Sequence, residues 1–281
     1  MGQRLGVDTL YKYITEFGFG KKTGIDLNGE GSGILFKKEN IGPIELATMS
    51  FGQGISVTPI QQVTGVSAAI NGGKLFEPYI VKRLSESETN ATILETDETL
   101  VRTVIGEETS KMVRFALESV VANGTGGNAY IENYRIGGKT GTAQKVQNGV
   151  YMQGNYIVSF VGFIPADNPK AVVYVAIDNP KGITQYGGTV SAPVAKNIML
   201  DLIDILDIEK SSEVTPKEYT WLDTKYSLLP NVVGLSLKEA QKALKLFKIE
   251  YSGDGDKVIH QSPEANIYVK ENGVVKLLLG N

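Results

Sequence analysis

Residues 137–145, Gly-Gly-Lys-Thr-Gly-Thr-Ala-Gln-Lys, bring two cations, two hydroxyls and three glycines into one short run. On an extended backbone such a set can receive a peptide-like ligand as an added strand, because a sheet edge presents unpaired N–H and C=O groups. In that use Gly141 permits close approach and Lys139 places positive charge beside a nucleophile. Thr140 and Thr142 offer hydroxyls to a carboxylate, and Gln144 lies further along the same strand. Strict alternation sends Lys139 and Thr142 to opposite faces, so one cleft can use both only if the strand twists or lies at an edge. Lys-Thr-Gly alone arises by chance in about one chain of this length in fifteen, so its surroundings must decide. A phosphate loop is excluded: G-x-x-x-x-G-K-[ST] needs glycine where Asn133 stands. The run also continues as a strand and does not open a helix, whose N-terminus would hold the phosphate.

The rest of the composition narrows the chemistry. The 281 residues contain no cysteine and a single histidine, His260. Thiolate nucleophiles, disulfides, Cys-based zinc sites and histidine clusters are therefore ruled out, and a Ser–Lys mechanism is what Lys139 fits. His260 falls on a short strand far along the chain and reads as a surface or packing residue. No spacing of acidic residues suggests a metal, and no cofactor is expected. Lys+Arg 28 against Asp+Glu 31 gives a net charge of −3, which supplies no global attraction for nucleic acid. The start of the sequence lacks a charged-then-apolar signal layout, and the apolar runs are too short for a bilayer span.

The elements that must position this strand can be read from periodicity and caps. Helical spacing links Leu5, Val7, Leu10, Ile14 and Phe17, and a second helix is expected from Pro43 to Ser50. Thr58-Pro59-Ile60-Gln61 is an N-cap, a first-turn proline and a capping-box Gln, opening a helix to Ile70. Tyr79–Leu84 and short stretches near Ile93 and Val101 read as strands. Glu107–Val121 reads as a helix with Met112, Val113, Ala116, Leu117, Val120 and Val121 on its apolar side, followed by a glycine-rich loop, Asn123–Gly127. The period then changes to two over Tyr134–Val146, Tyr156–Phe163 and Ala171–Ile177, an antiparallel meander with turns at Asn148-Gly149 and Asn168-Pro169. A closing helix from Ser191 to Leu206 is expected to start at Ala192-Pro193 and turn Val194, Ile198, Met199, Leu202 and Ile203 to the sheet.

Beyond a charged, aperiodic stretch with Pro216, the chain reads as a small α+β module. Its helix opens on the capping box Ser236-Leu-Lys-Glu239, and short strands follow at Ile249–Tyr251, Val258–His260, Ile267–Val269 and Val274–Leu279, with Asn272-Gly273 as a hairpin turn. Trp221 and Tyr226 at the junction are expected to pack between modules.

Taken in order, Phe51–Pro59 with Asn71-Gly-Gly73, Val121–Gly126, Tyr134–Lys145, Ser159–Phe163 and Gly187–Pro193 resemble the transpeptidase domain of class B penicillin-binding proteins. Leu229–Ser236, Val258–Pro263 and Val274–Gly280 resemble a single PASTA repeat, a combination similar to sporulation members of the family. The resemblance implies a mixed α/β fold of the penicillin-binding-protein and serine β-lactamase type, an antiparallel sheet with packed helices. Expected limits are 1–210 for the C-terminal part of the transpeptidase domain, 211–225 for a linker and 226–281 for the PASTA domain.

The implied activity is peptidoglycan D,D-transpeptidation through an acyl-enzyme, with Lys139 as the catalytic residue and Thr140, Gly141, Thr142 and Gln144 binding substrate. Implied ligands are D-Ala-D-Ala stem peptides and β-lactams, with divisome or sporulation cell-wall synthesis proteins as partners. The implied location is the extracytoplasmic face of the cell membrane, for an intact parent. The family's S-x-x-K nucleophile and S-x-N motif have no match. No serine here is followed by lysine three positions on or by asparagine two positions on. The chain therefore reads as truncated at its N-terminus and inactive alone. A non-catalytic muropeptide-binding module acting through the PASTA repeat is the alternative. A β-lactamase or D,D-carboxypeptidase would share Lys139 but explains the other segments less well.

Overall fold

The computed structural model describes residues 2–147, 149–217 and 226–280. Chain contacts divide it into two compact units, Met1–Glu218 and Tyr219–Asn281. Of the expected features, Asn148 and Trp221 lie outside the described residues.

The large unit begins with α1 (Gly2–Glu16), broken at Gly6, where φ is +75°. Then come α2 (Pro43–Met49) and α3 (Pro59–Ile70). The capping box is present: Gln61 N donates to the Thr58 hydroxyl at 3.2 Å, and the Gln61 side-chain oxygen accepts from Thr58 N at 3.0 Å. Gln61 is buried and does more than cap. Its amide nitrogen donates to the carbonyls of Lys21 and Ser32, pinning two turns of the irregular 17–42 segment to the start of α3.

Four short strands follow: β1 (Lys74–Phe76), β2 (Arg83–Ser85), β3 (Thr92–Glu95) and β4 (Leu100–Thr103). β1 pairs with β4 and β2 with β3, both antiparallel. The strand expected over Tyr79–Leu84 shrinks to Arg83–Ser85. Its leading amides are taken elsewhere, since Ile80 N and Val81 N donate to the two carboxylate oxygens of Asp26 at 2.7 and 2.8 Å.

Helix α4 (Glu107–Asn123) bears out part of its expected apolar side: Val121 is buried, and Val113 and Leu117 pack against an apolar cluster. Met112 and Ala116 are exposed instead, and a polar i, i+4, i+8 stripe turns inward. On that stripe Ser110 accepts from Gly72 N and donates to the Ala69 carbonyl, while Arg114 donates to the Ile70 carbonyl. Glu118, 2% exposed, accepts from Arg135 Nε and an Arg135 terminal nitrogen at 3.0 and 2.7 Å. Polar side chains are tolerated at these positions because each finds partners for most of its polar atoms, the buried Arg114 Nε being left without one.

The main sheet has order β5-β6-β7, with β5 (Gly137–Gln147), β6 (Val150–Ile164) and β7 (Ala171–Asp178) antiparallel throughout. Helix α5 (Gly187–Ile205) covers one face, burying Ala192, Ala195, Met199 and Ile203 in the core that holds Phe160, Ile164 and Val173. Phe163, of the opposite parity to Phe160, packs with Ile70 and Ala166 beside Val113 and Leu117. The closing helix thus starts before Ala192, and Pro193 lies inside it. Val194 and Ile198, expected to face the sheet, are 42% and 39% exposed.

The small unit contains β8 (Tyr226–Leu228), α6 (Leu237–Ala243), β9 (Lys248–Ser252), β10 (Lys257–Ser262), β11 (Tyr268–Lys270) and β12 (Val274–Gly280). One sheet has order β10-β12-β9 and a second pairs β11 with β8. Asn272-Gly273 is therefore no hairpin turn, because the strands it joins belong to different sheets. Leu229, Val232, Ala240, Leu244, Val258, Val275 and Leu277 close a core of their own.

Candidate active-site strand

Two aromatic rings determine how the motif strand enters the sheet. A Cβ on Gly137 would stand 2.1 Å from the Phe163 ring, and one on Gly138 would stand 2.4 Å from the Phe160 ring. The Gly137-Gly138 pair thus lets large side chains of the neighbouring strand lie across β5 on both faces. Arg135, just upstream, is clamped by Glu118 and sits 3.6 Å from Asp167. The motif therefore leaves a fixed anchor.

From Gly137↔Phe163 to Gln144↔Tyr156 the register with β6 runs without a shift. Lys139 and Gly141 share one parity; Thr140, Thr142 and Gln144 share the other. Among the described residues β5 is an edge strand of its sheet, which meets the edge condition set by the sequence. Alternation nevertheless holds at the motif. Lys139 is exposed and its ammonium donates to the Thr140 carbonyl at 2.8 Å. Thr140 Oγ1 lies 3.0 Å from Thr125 Oγ1. Thr142 Oγ1 accepts from Gly187 N at 3.3 Å, which leaves the Thr142 proton available to a further acceptor. Gln144 is half-buried opposite Tyr156.

The start of α5 approaches this strand closely. A Cβ on Gly187 would come within 2.2 Å of the Ser159 carbonyl oxygen and 2.5 Å of that of Gly141, and one on Gly188 within 2.3 Å of the Thr125 carbonyl oxygen. Asn128 Nδ2 donates to the Gly188 carbonyl at 2.8 Å, and the Ser191 hydroxyl donates to that of Val158 at 3.0 Å. These bonds hold the first turns of α5 ahead of Pro193, where the proline signal had placed the helix start. Thr125, Asn128 and the Gly187 amide were not named as site residues from sequence. The glycine-rich loop Asn123–Gly127 contains Thr125 and the Gly187–Pro193 segment contains Gly187, whereas Asn128 lies one residue beyond the loop and carries no sequence signal. Gly52 and Gly54, flanking Gln53, adopt φ of +90° and +77°, a backbone reason for their being glycine. His260 is exposed on β10 in the small unit.

The family profile described as the penicillin binding protein transpeptidase domain matches residues 1–200, and the PASTA domain profile matches 227–281. The chain belongs to the penicillin-binding protein transpeptidase family and carries a PASTA domain. It is 54% identical over 279 residues to stage V sporulation protein D of Bacillus subtilis (strain 168), covering 99% of this chain and 43% of that protein. It is 32% identical over 216 residues to the probable peptidoglycan D,D-transpeptidase PenA of Neisseria meningitidis serogroup A, covering 76% of this chain and 35% of that protein. Among solved structures, penicillin binding protein 3 from Mycobacterium tuberculosis complexed with ampicillin matches with TM-score 0.67 and 29% identity, over 76% of this chain and 49% of that one. Penicillin binding protein 2X from Streptococcus thermophilus, at 23% identity, shares the fold over 99% of this chain with TM-score 0.61. The chain spans less than half the length of these proteins. No helix among the described residues is long and apolar enough to cross a membrane.

Proposed function

We propose that this chain supplies the substrate-edge strand of a peptidoglycan D,D-transpeptidase and is inactive without residues found elsewhere in the family. Lys139 provides the positive charge beside an acyl-accepting serine carried by the rest of such an enzyme. The edge from Thr140 through Gly141 and Thr142 to Gln144 receives the D-Ala-D-Ala stem peptide or a β-lactam as an added strand. The serine then forms the acyl-enzyme and the amine of a neighbouring stem peptide resolves it. The observation that carries this reading is the edge position of β5 among the described residues, with Lys139 exposed and the Thr142 hydroxyl accepting from Gly187 N, its proton left for a further acceptor. The reading also assigns limits of 1–210, 211–225 and 226–281 to the two domains and their linker. It places the intact enzyme on the extracytoplasmic face of the membrane, working with other cell-wall synthesis proteins of division or sporulation.

Incubation with a fluorescent penicillin followed by a denaturing gel tests it. The 281-residue chain is expected to show no covalent band. Fusing it to the upstream transpeptidase segment of its sporulation relative should restore a band that Lys139→Ala removes. A serine-dependent band on the chain alone would overturn the inactivity.

A further inference from the structure

The lobe at 77–101 combines features that no part of the transpeptidase reading uses. Strands β2 and β3 form a two-stranded hairpin with no third strand among the described residues, and nearly every residue from 80 to 95 is exposed, on both faces. Two strands that cover neither face are marginal on their own. Even so, the hairpin carries large apolar side chains. Leu84 and Leu94 are cross-strand partners at 51% and 49% exposure. Ile93, the residue skipped where the register shifts, is 63% exposed. Ile80, next to the Asp26 anchor, is 60% exposed.

Charge singles out the same stretch. Residues 77–101 contain six acidic and two basic side chains, a net of −4, whereas the whole chain nets −3, so all the other residues together net +1. An apolar surface embedded in concentrated negative charge is an interaction surface with a defined sign. It repels an anionic membrane, a nucleic acid, a carboxylate-bearing stem peptide and a second copy of itself.

We propose that the β2–β3 hairpin is a docking site for a basic, amphipathic polypeptide segment of a partner protein. The partner's apolar residues cover Leu84, Leu94 and Ile93, and its lysines or arginines meet Glu86, Glu88, Glu95, Asp97 and Glu98. This surface is independent of the activity assigned to β5.

The test uses the 281-residue chain and three fluorescein-labelled 18-residue peptides, read by anisotropy. The first is a Leu/Lys sequence with helical amphipathic spacing, the second a scramble of the same composition, and the third its Leu/Glu counterpart. The amphipathic basic peptide should bind at least tenfold more tightly than the other two. The triple variant Leu84→Ser, Ile93→Ser, Leu94→Ser should weaken that binding at least tenfold. A charge variant, Glu86→Gln with Glu88→Gln, Glu95→Gln, Asp97→Asn and Glu98→Gln, should weaken it at least tenfold while keeping every apolar pair that holds the hairpin. Equal binding of the scrambled peptide, or unchanged affinity in the charge variant, overturns the proposal. So does sedimentation showing concentration-dependent self-association that the triple variant abolishes, because the occupant would then be a second copy.

Discussion

In the small unit β12 alternates exposed and buried side chains from Val274 to Leu279, and its inward set meets Leu229, Val232 and Leu244 in one closed core. In the large unit the first 58 residues leave Ile34, Ile44 and Phe51 at 72%, 74% and 70% exposure, while the motif strand is held by distant partners. Those partners are Phe160 and Phe163 across the ladder, Glu118 on α4 and Gly187 on α5. The contrast teaches that the two units owe their order to different things. The small one depends on a single local core. The large one has apolar cores too, around Phe160 and Met199 and around Phe163, but its motif strand is placed by a few close approaches that glycine permits and by the Arg135–Glu118 ion pair upstream of it.

The strongest test of this contrast strikes the small core. Leu244 is fully buried, and Leu→Ala in such a site costs about 3–4 kcal/mol. A module of this size has a total stability of only about 3–8 kcal/mol. Leu244→Ala should therefore largely unfold the small unit while the large unit's amide NMR signals stay in place. Loss of both sets together would show one cooperative body.

Next comes the motif strand. Gly138→Val would drive a branched side chain into the Phe160 ring and the Val161 carbonyl oxygen, which lie 2.4 and 2.8 Å from an added Cβ. Overpacking of this kind costs about 3 kcal/mol. A calorimetric transition for the large unit should fall by several degrees, with the small unit's transition unmoved. An unchanged large-unit transition would mean that β5 is not held by these rings. A smaller effect is expected at the α3 cap. Thr58→Ala removes one accepted bond but leaves the Gln61 clamp on Lys21 and Ser32, and should cost the large unit about 1 kcal/mol in denaturant unfolding. A loss several times larger would assign Thr58 a role beyond capping.

The contrast also explains what was legible in the sequence. Local signals gave their elements away: both capping boxes, at Thr58 and Ser236, form as spelled, and the switch to period two marks the meander. The motif's neighbours were legible only as segments, through resemblance. What sequence could not supply was set by tertiary partners. Beside the inward Val113, Leu117 and Val121, α4 also turns Ser110, Arg114 and Glu118 inward, which a search for apolar periodicity passes over in favour of Met112. The first turns of α5 precede its proline because Thr142 and Asn128 engage Gly187 and Gly188. Strands β1 and β8 are three residues long, too short for alternation to register.

The smallest predicted effect separates the units by pH. The Val81 amide, and next the Ile80 amide, hold the Asp26 carboxyl below its ordinary value. In the small unit the Ser236 hydroxyl and then the Ser236 amide do the same for Glu239. A carboxylate with a depressed folded-state pKa contributes its full stabilisation above the unfolded-state value, and that contribution is lost as pH falls through the folded-state value. Both anchors should thus be intact at neutral pH and released only on acidification past the usual range, about 3.9 for Asp and 4.3 for Glu. Their consequences differ. Protonating Glu239 should loosen only the first turn of α6, whereas protonating Asp26 frees the Ile80–Val81 backbone at the base of the β2–β3 hairpin. Following the Ile80, Val81 and Ser236 amide proton shifts by NMR against pH should give midpoints below those ordinary values. Asp26→Asn, which keeps one accepting oxygen and offers an NH2 in place of the other, should abolish the Ile80 and Val81 titrations and leave the Ser236 titration unchanged. Midpoints at or above the ordinary carboxylate values would mean that neither side chain holds its segment in the way the two pairs of hydrogen bonds require.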